Sequence, residues 1–131
     1  MEARELRSLV EEGLGKLIGT YILPNGRKVK AIAVLKAFET YPPQGTEIQG
    51  LEAVITYPRP ITQPLLDSYR VELEWTIHLK QWDKTKSLKE ALPKILTLSG
   101  IKQTLPVPAD ERLGTPEMLT IILSEFERLG S

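Results

Sequence analysis

The segment Tyr-Arg-Val-Glu-Leu-Glu-Trp-Thr-Ile-His-Leu-Lys at residues 69–80 decides the fold, because apolar and polar residues alternate along its whole length. One face of the predicted strand carries Tyr69, Val71, Leu73, Trp75, Ile77 and Leu79, and the other carries Arg70, Glu72, Glu74, Thr76, His78 and Lys80. Such alternation is typical of an antiparallel strand with one buried face. At ~3.3 Å per residue, a strand over these residues is ~40 Å long, whereas the common strand has only about five or six residues. We therefore expect it to run past several partner strands or past another subunit.

The residues before this strand predict an amphipathic helix and a β-hairpin. Apolar residues recur at three- and four-residue intervals from Leu6 to Ile18, which indicates a helix with one buried stripe. Gly13-Leu14-Gly15-Lys16 faintly resembles a phosphate-binding loop, but it lacks the full spacing, so we interpret it as a weak point or early end of the helix. Segments 20–23 and 29–36 are β-rich and flank Pro24-Asn25-Gly26-Arg27, where Asn-Gly suits the positive φ angles of a tight hairpin turn.

Prolines concentrate between residues 42 and 64. Residues 51–57 are predicted to form a third strand, which Pro58, Pro60 and Pro64 should end because proline cannot donate a ladder hydrogen bond. Residues 38–49 and 58–66 are then two surface loops. Proline stiffens such loops by lowering the entropy lost when they become ordered, so they suit contact with a partner.

The residues after the long strand predict a second helix and further strand. A helical stripe spans residues 88–95, and Pro93 is expected to loosen or kink that helix unless it starts late. Residues 101–105 can form a short strand, ended by Pro106 and Pro108. The final stretch fits both a helix and a strand, and we favour a closing strand. Residues 1–131 are therefore predicted to form a single α+β domain, in which a mostly antiparallel sheet is flanked by an N-terminal helix and a second helix after the long strand.

Composition excludes several classes of function. The chain has 131 residues, enough for one domain with a real core, and its seventeen basic and seventeen acidic residues cancel, which argues against a general polyanion binder. Without cysteine, it has no disulfide, thiolate nucleophile or cysteine-based zinc site. The charged N-terminal sequence lacks a signal-peptide core, and no apolar run approaches membrane-spanning length, so we expect a protein used without signal-peptide secretion.

Few residues suggest chemistry. The single histidine, His78, lies on the polar face of the long strand, and we expect a solvated or salt-bridged surface residue. Glu72 and Glu74 share that face at ~6.6 Å, a separation found in paired catalytic carboxylates, although strands often carry such charges. Arg27, Lys28 and Lys30 on the hairpin can contact phosphate, but charged hairpins more commonly serve solubility. We therefore predict no catalytic residue, no metal site and no cofactor.

Aromatic and proline residues provide the candidate contact surface. Trp75 is central in the apolar row and is predicted to lie in the core. Trp82 follows the strand beside Asp83 and is a candidate interface residue, with packing against the second helix as the alternative. The predicted interface residues are Tyr41, Pro42, Pro43, Tyr57, Arg59 and Trp82.

Several segments together resemble the tail terminator, or tail completion, proteins of tailed bacteriophages. The resemblance rests on the opening helix, on Gly19-Thr20-Tyr21-Ile22-Leu23-Pro24-Asn25-Gly26, on Gly50-Leu51-Glu52-Ala53-Val54-Ile55, and on the strand from Trp75 to Asp83 that leads into a helix. It spans nearly the whole chain through element order rather than through a diagnostic motif.

The resemblance implies a non-enzymatic virion protein that forms a homohexameric ring on the end of the tail tube. Such a ring stops tube polymerisation and joins the tail to head-side neck or connector proteins, and in a contractile tail it also binds sheath. Its location would be the virion tail or neck, after assembly in the host bacterial cytoplasm. Neither a membrane nor a specific nucleic-acid sequence is an expected partner.

Two other classes stay open. One is another virion component, such as a neck connector or a tail tube subunit, and a tube subunit should be richer in strand and poorer in helix. The other is a small cellular enzyme or ligand-binding domain, whose cleft between sheet and helices would gather His78 with Glu72 or Glu74.

Overall fold

Two sheets and two helices make up the computed structural model, which describes residues 2–36, 38–64, 68–83, 88–95, 101–114 and 116–130. In chain order the elements are α1 (Ala3–Leu14), a 3-10 turn (Gly15–Leu17), β1 (Thr20–Ile22), β2 (Lys28–Lys30), β3 (Ile32–Leu35), β4 (Glu47–Gln49), β5 (Leu51–Pro64), β6 (Ser68–Gln81), α2 (Leu88–Ile95), β7 (Ile101–Val107) and β8 (Glu117–Gly130). The predicted α+β class, with mostly antiparallel sheet and helices at the two predicted places, is confirmed.

Strand β6 lies at the centre of the larger sheet, whose strand order is β3-β5-β6-β8-β7. It pairs antiparallel with β5 on one side and with β8 on the other, and each of the three strands is 14 residues long. The favoured closing strand is confirmed as β8. The length of β6 is therefore matched by partner strands within its own chain.

The core lies between the larger sheet and the two helices. α1 contributes Leu6, Val10 and Leu14, and α2 contributes Leu88, Ala91 and Ile95. From β6, the core takes Trp75, Ile77 and Leu79, which confirms the predicted orientation of the strand. Trp75 is 3% exposed, as expected for the core. Within the ranges that the structure describes, side chains are included for all residues except 59–64, 68–72 and 125–130.

The smaller sheet has the strand order β2-β1-β4 and contains the predicted hairpin. β1 and β2 pair antiparallel around a turn in which the Gly26 N–H donates to the Leu23 carbonyl and Gly26 adopts φ 86°. The prediction of one strand over residues 29–36 is wrong, because the chain crosses between sheets at Ala31. That residue donates its N–H to the Gly19 carbonyl and accepts from the Ala53 N–H. The predicted loop at 38–49 is also wrong in part, since β4 lies within it.

The prolines after residue 57 do not end β5, which continues through Pro58 and Pro60 to Pro64. The predicted loop at 58–66 is therefore wrong for residues 58–64, while 65 and 66 lie outside the described residues. β3 pairs with Ala53–Thr56 of β5, so beyond Thr56 β5 is an edge strand in which a missing N–H is tolerated. The ladder with β6 is also irregular between Thr56 and Arg59. Pro106 lies inside β7 for the same reason, because β7 is an edge strand.

The helices begin and end for identifiable reasons. α1 stops at Leu14, and Gly15 adopts φ 54°, so the early end predicted at the glycines is confirmed. The first N–H of α2, at Leu88, donates to Gln81 Oε1 at 2.7 Å, which ties the helix to the end of β6. Pro93 lies inside α2. Within the described ranges, neither helix combines the length and the apolar character needed to cross a membrane.

Candidate functional site

A buried carboxylate, Glu52, lies where the two sheets meet. It is 2% exposed and is the only buried charged side chain in the part of the chain whose side chains are described. Its neighbours Leu51 and Ala53 belong to the core beneath the helices, so strand alternation directs Glu52 to the opposite face of the sheet. The Tyr21 hydroxyl donates to Glu52 Oε2, and the Trp82 indole Nε1–H donates to Glu52 Oε1 at 2.9 Å. We refer to Tyr21, Glu52 and Trp82 as the Glu52 cluster.

Backbone hydrogen bonds hold the three parts of the Glu52 cluster together. The Trp82 N–H donates to the Gly50 carbonyl at 2.9 Å, and the Gly50 N–H donates to Asp83 Oδ2 at 2.9 Å. The Gly19 N–H donates to the Leu51 carbonyl at 2.8 Å. A Cβ at Gly19 would lie 1.9 Å from the Gln49 carbonyl oxygen, so only glycine permits this approach of the two segments.

The electrostatics of the cluster keep the Tyr21 proton in place. Burial raises the pKa of Tyr21 far above its usual value, and the hydrogen bond to Glu52 and the charges of Glu52 and Tyr41 raise it further. Tyr21 therefore remains a hydroxyl donor, and Glu52 is the acceptor for both neighbours. The two hydrogen bonds to Glu52 therefore fix the three side chains relative to one another.

Exposed aromatic rings lie beside the cluster. The Tyr41 ring meets the Tyr21 ring edge-on, with centroids 5.6 Å apart and an interplanar angle of 73°. Tyr41 is 41% exposed and Trp82 is 38% exposed. Pro42, joined to Tyr41 by a cis peptide bond, is half-buried, and Pro43 is exposed. We call Tyr41, Pro42, Pro43 and Trp82 the Trp82–Tyr41 surface.

Tyr57 lies on the other side of the larger sheet. Its ring centroid is 5.9 Å from that of Trp75, which belongs to the core beneath the helices, and the Lys36 ammonium group lies 5.3 Å from the Tyr57 centroid. Tyr57 is 42% exposed and lines an open depression of about 630 Å³ together with Pro58, Trp75 and the first residues of α1. We call Tyr57, Pro58 and Lys36 the Tyr57 surface.

The predicted interface residues thus divide between two surfaces. Trp82 donates its indole N–H to Glu52 of β5 and is 38% exposed, and its role in an interface stays a prediction. Arg59 pairs with Glu74 in the β5–β6 ladder, and its side chain lies outside the described part of the chain.

His78 does not have the environment expected from the sequence. The prediction of a solvated or salt-bridged residue is wrong, because His78 is half-buried and its Nδ1 lies 3.0 Å from Thr120 Oγ1 across the β6–β8 ladder. Burial lowers the pKa of His78, and the charge of Lys80 lowers it further. The ring is consequently neutral at pH 7 and serves as a hydrogen-bond partner.

The remaining candidate groups are not assembled into a reactive centre. Glu74 Oε1 forms an ion pair with Lys102 Nζ at 3.3 Å, and the side chain of Glu72 lies outside the described residues. Across the described ranges, no three His, Cys, Asp or Glu side chains come together closely enough to hold a metal ion.

The segment at residues 13–16 and the basic residues of the hairpin were the two weak candidates for anion binding, and residues from both line the same depression. Lys16, Lys28 and Lys30 line one open depression of about 560 Å³, where Glu11 Oε1 pairs with Lys30 Nζ at 3.3 Å.

Sequence reasoning missed Glu52 as a site residue. Its signal is a single charged residue inside the otherwise apolar run Leu-Glu-Ala-Val-Ile at residues 51–55. A buried carboxylate needs donors, and nothing in the pattern indicated that Tyr21 and Trp82 supply them. Comparison of this chain with protein-family models and with curated proteins gives no match. The functional argument therefore rests on the Glu52 cluster, the two aromatic surfaces and the resemblance described above.

Proposed function

We propose that this chain is a structural virion protein of the tail terminator type. Copies of it form a homohexameric ring that caps the tail tube, stops tube polymerisation and joins the tail to the head-side neck. The observation that carries the proposal is the division of three exposed aromatic residues, Tyr41, Trp82 and Tyr57, between two unlike surfaces on opposite sides of one sheet.

Two unlike surfaces are what a closed ring of identical subunits requires. In a ring, one surface of each copy contacts a different surface of the next copy, and rotation closes the assembly. Tyrosine and tryptophan are enriched at such contacts because they bury a large area at low conformational cost. The Trp82–Tyr41 surface and the Tyr57 surface are each partly exposed and each anchored on a buried group.

The proposed partner at each surface is another copy of this chain, because two unlike surfaces on identical subunits can contact one another and close a ring. At the Tyr57 surface, the Lys36 ammonium group lies 5.3 Å from the Tyr57 ring centroid.

A non-enzymatic role fits the chemistry of the described side chains. His78 is paired with a hydroxyl, Glu74 with Lys102, and Glu52 with two donors, so no pair of these groups forms a nucleophile and its base. The other partners of the ring would be the tail tube protein, a head-side neck or connector protein and, in a contractile tail, the sheath protein. The proposed location is the virion tail or neck.

The deciding experiment removes this protein from an assembling phage and images the products by electron microscopy. Overlong or headless tails would support the proposal, whereas normal tails joined to filled heads would end it. The mass of the purified protein in solution provides a second test, since a hexamer and a monomer differ several-fold.

A second candidate function is that of a tail tube subunit, which the predominance of strand favours. β5, β6 and β8 each span 14 residues, whereas α1 and α2 span 12 and 8. A tube subunit polymerises into open filaments, while a terminator closes into a single ring. Electron microscopy of the purified protein distinguishes them by whether particles lengthen with protein concentration.

A further inference from the structure

Trp82 is held at two points although part of its ring faces solvent. Its backbone N–H donates to the Gly50 carbonyl, and its indole N–H donates to Glu52 Oε1, each at 2.9 Å. The residue is 38% exposed. An exposed tryptophan normally samples several rotamers, and ordering it on binding lowers affinity. Here the second hydrogen bond restrains the ring before any partner arrives.

The same carboxylate also organises Tyr41, through Tyr21. Glu52 Oε2 accepts from the Tyr21 hydroxyl, and the buried Tyr21 ring supports the exposed Tyr41 ring edge-on at 5.6 Å. Tyr21 and Trp82 lie 31 and 30 residues from Glu52 in the chain. One buried group therefore connects two exposed rings that come from distant segments.

We propose that Glu52 is a positioning residue for contact between copies of this chain. It holds Trp82 and Tyr41 in the orientation in which they contact the next copy, so that self-association depends on a carboxylate too buried to touch the partner. This inference rests on the proposed function, in which the Trp82–Tyr41 surface meets the Tyr57 surface of another copy. The inference adds that Glu52 sets the geometry of the Trp82–Tyr41 surface.

Two substitutions at position 52 separate positioning from simple packing. In Glu52→Leu, both acceptor oxygens are lost while the volume of the side chain is largely kept. In Glu52→Gln, the amide oxygen can accept from the Trp82 indole, and the amide N–H can donate to the Tyr21 hydroxyl oxygen, because a hydroxyl accepts as well as donates. We expect Glu52→Leu to weaken self-association by roughly tenfold and Glu52→Gln to restore most of it.

The mobility of Trp82 is read out on the free chain by NMR of the indole N–H groups. The chain has two tryptophans, and Trp82→Phe assigns their two signals. Glu52→Leu should shift the Trp82 indole signal and speed its hydrogen exchange, while the signal of the buried Trp75 stays unchanged. A Trp82 indole that is as protected in Glu52→Leu as in the natural chain would overturn the proposal.

Self-association is measured by sedimentation velocity, and folding by thermal melting of the same samples. In a Trp82→Ala, Tyr41→Ala background, Glu52→Leu should have no further effect on association, because the groups it positions are gone. A further loss of association there, at equal folding, would contradict a positioning role. If Glu52→Leu does not fold, Trp82→Phe gives the test, because it keeps an aromatic ring while it removes the indole N–H together with part of the fused ring. Association of Trp82→Phe equal to that of the natural chain would also overturn the proposal.

Failure of the proposed function gives a different result from failure of this inference. If the natural chain does not self-associate at any concentration, the contact between copies is wrong, and with it this role of Glu52 in assembly. If the chain associates and Glu52→Leu associates equally well, the function stands and the positioning role is wrong.

Discussion

The Tyr57 ring lies with its centroid 5.9 Å from that of Trp75, so a residue that is 42% exposed rests directly on one that is 3% exposed. This contact joins the core to the Tyr57 surface. Tilted aromatic pairs of this kind contribute about 0.5–1.5 kcal/mol beyond the area they bury. Substitutions at the two residues should nevertheless differ in effect, because Trp75 supports the fold whereas Tyr57 faces solvent.

Replacement of Trp75 by alanine should destabilise the fold by ~3–5 kcal/mol, since it opens a large cavity beneath α1. The control is Thr76→Ala, the next residue of β6 on the opposite face, and truncation of its partly exposed side chain should cost about 0.5 kcal/mol. Chemical denaturation measures both free energies of unfolding. Equal midpoints for the two variants would show that the orientation of β6 is wrong.

Alanine substitutions at two glycines should have opposite effects on stability. Gly13 lies inside α1, and a Cβ there would lie 3.7 Å from the Lys94 carbonyl oxygen, so Gly13→Ala should stabilise the protein by about 0.5–1 kcal/mol. At Gly19 the added Cβ would overlap the Gln49 backbone, so Gly19→Ala should cost roughly 2 kcal/mol or more. Urea denaturation checks both values. A Gly19→Ala variant as stable as the natural chain would contradict the close approach of β1 to the start of β5.

His78 should make stability depend on pH in a defined direction. Because burial and the charge of Lys80 lower its pKa in the folded state, the unfolded chain binds a proton at a higher pH than the folded chain does. The free energy of unfolding should therefore be greatest above about pH 6.5 and should fall as the pH decreases below that value. Urea denaturation at a series of pH values between 8 and 5 measures the slope, and His78→Gln should reduce it.

The same residue should contribute modestly to stability at neutral pH. A solvated histidine could be replaced without effect, but the contact with Thr120 Oγ1 leads us to expect a loss of about 1 kcal/mol in His78→Ala. Thr120→Val removes the partner hydroxyl and is the matched variant. If both variants unfold at the midpoint of the natural chain, the hydrogen bond contributes nothing in solution.

Charged substitutions at the exposed aromatic residues should impair assembly more than folding. Glutamate at Tyr41, or at Tyr57 on the other surface, would have to be desolvated in a contact between copies, whereas in the free chain it stays in water. We expect the ring to be lost while the melting temperature falls by only a few degrees. Sedimentation velocity and thermal melting of each variant check this expectation.

The control for these variants is Leu113→Glu, which places the same charge at an apolar side chain that is 73% exposed and lies outside both surfaces. It should leave both assembly and folding unchanged. Loss of assembly in this control as well would mean that added negative charge, rather than the named surfaces, disrupts the ring.

The sequence by itself determined the elements whose pattern is local. Alternation over residues 69–80 determined β6 and the burial of Trp75, because a strand places every second residue on the same face. Asn25-Gly26 determined the hairpin, since few residues adopt the positive φ that its turn requires. Gly15, which follows Leu14, determined the end of α1 for a similar reason.

Only the tertiary structure decided features that depend on what lies beside a segment. Pro58 and Pro60 are tolerated within β5 because β3 stops pairing at Thr56, and no local pattern indicates where a neighbouring strand ends. Glu52 is buried because Tyr21 and Trp82 approach it from segments about 30 residues away. The cost of burying a carboxylate is offset by donors that only the completed fold brings together, so the candidate site could not be predicted from the residues around Glu52.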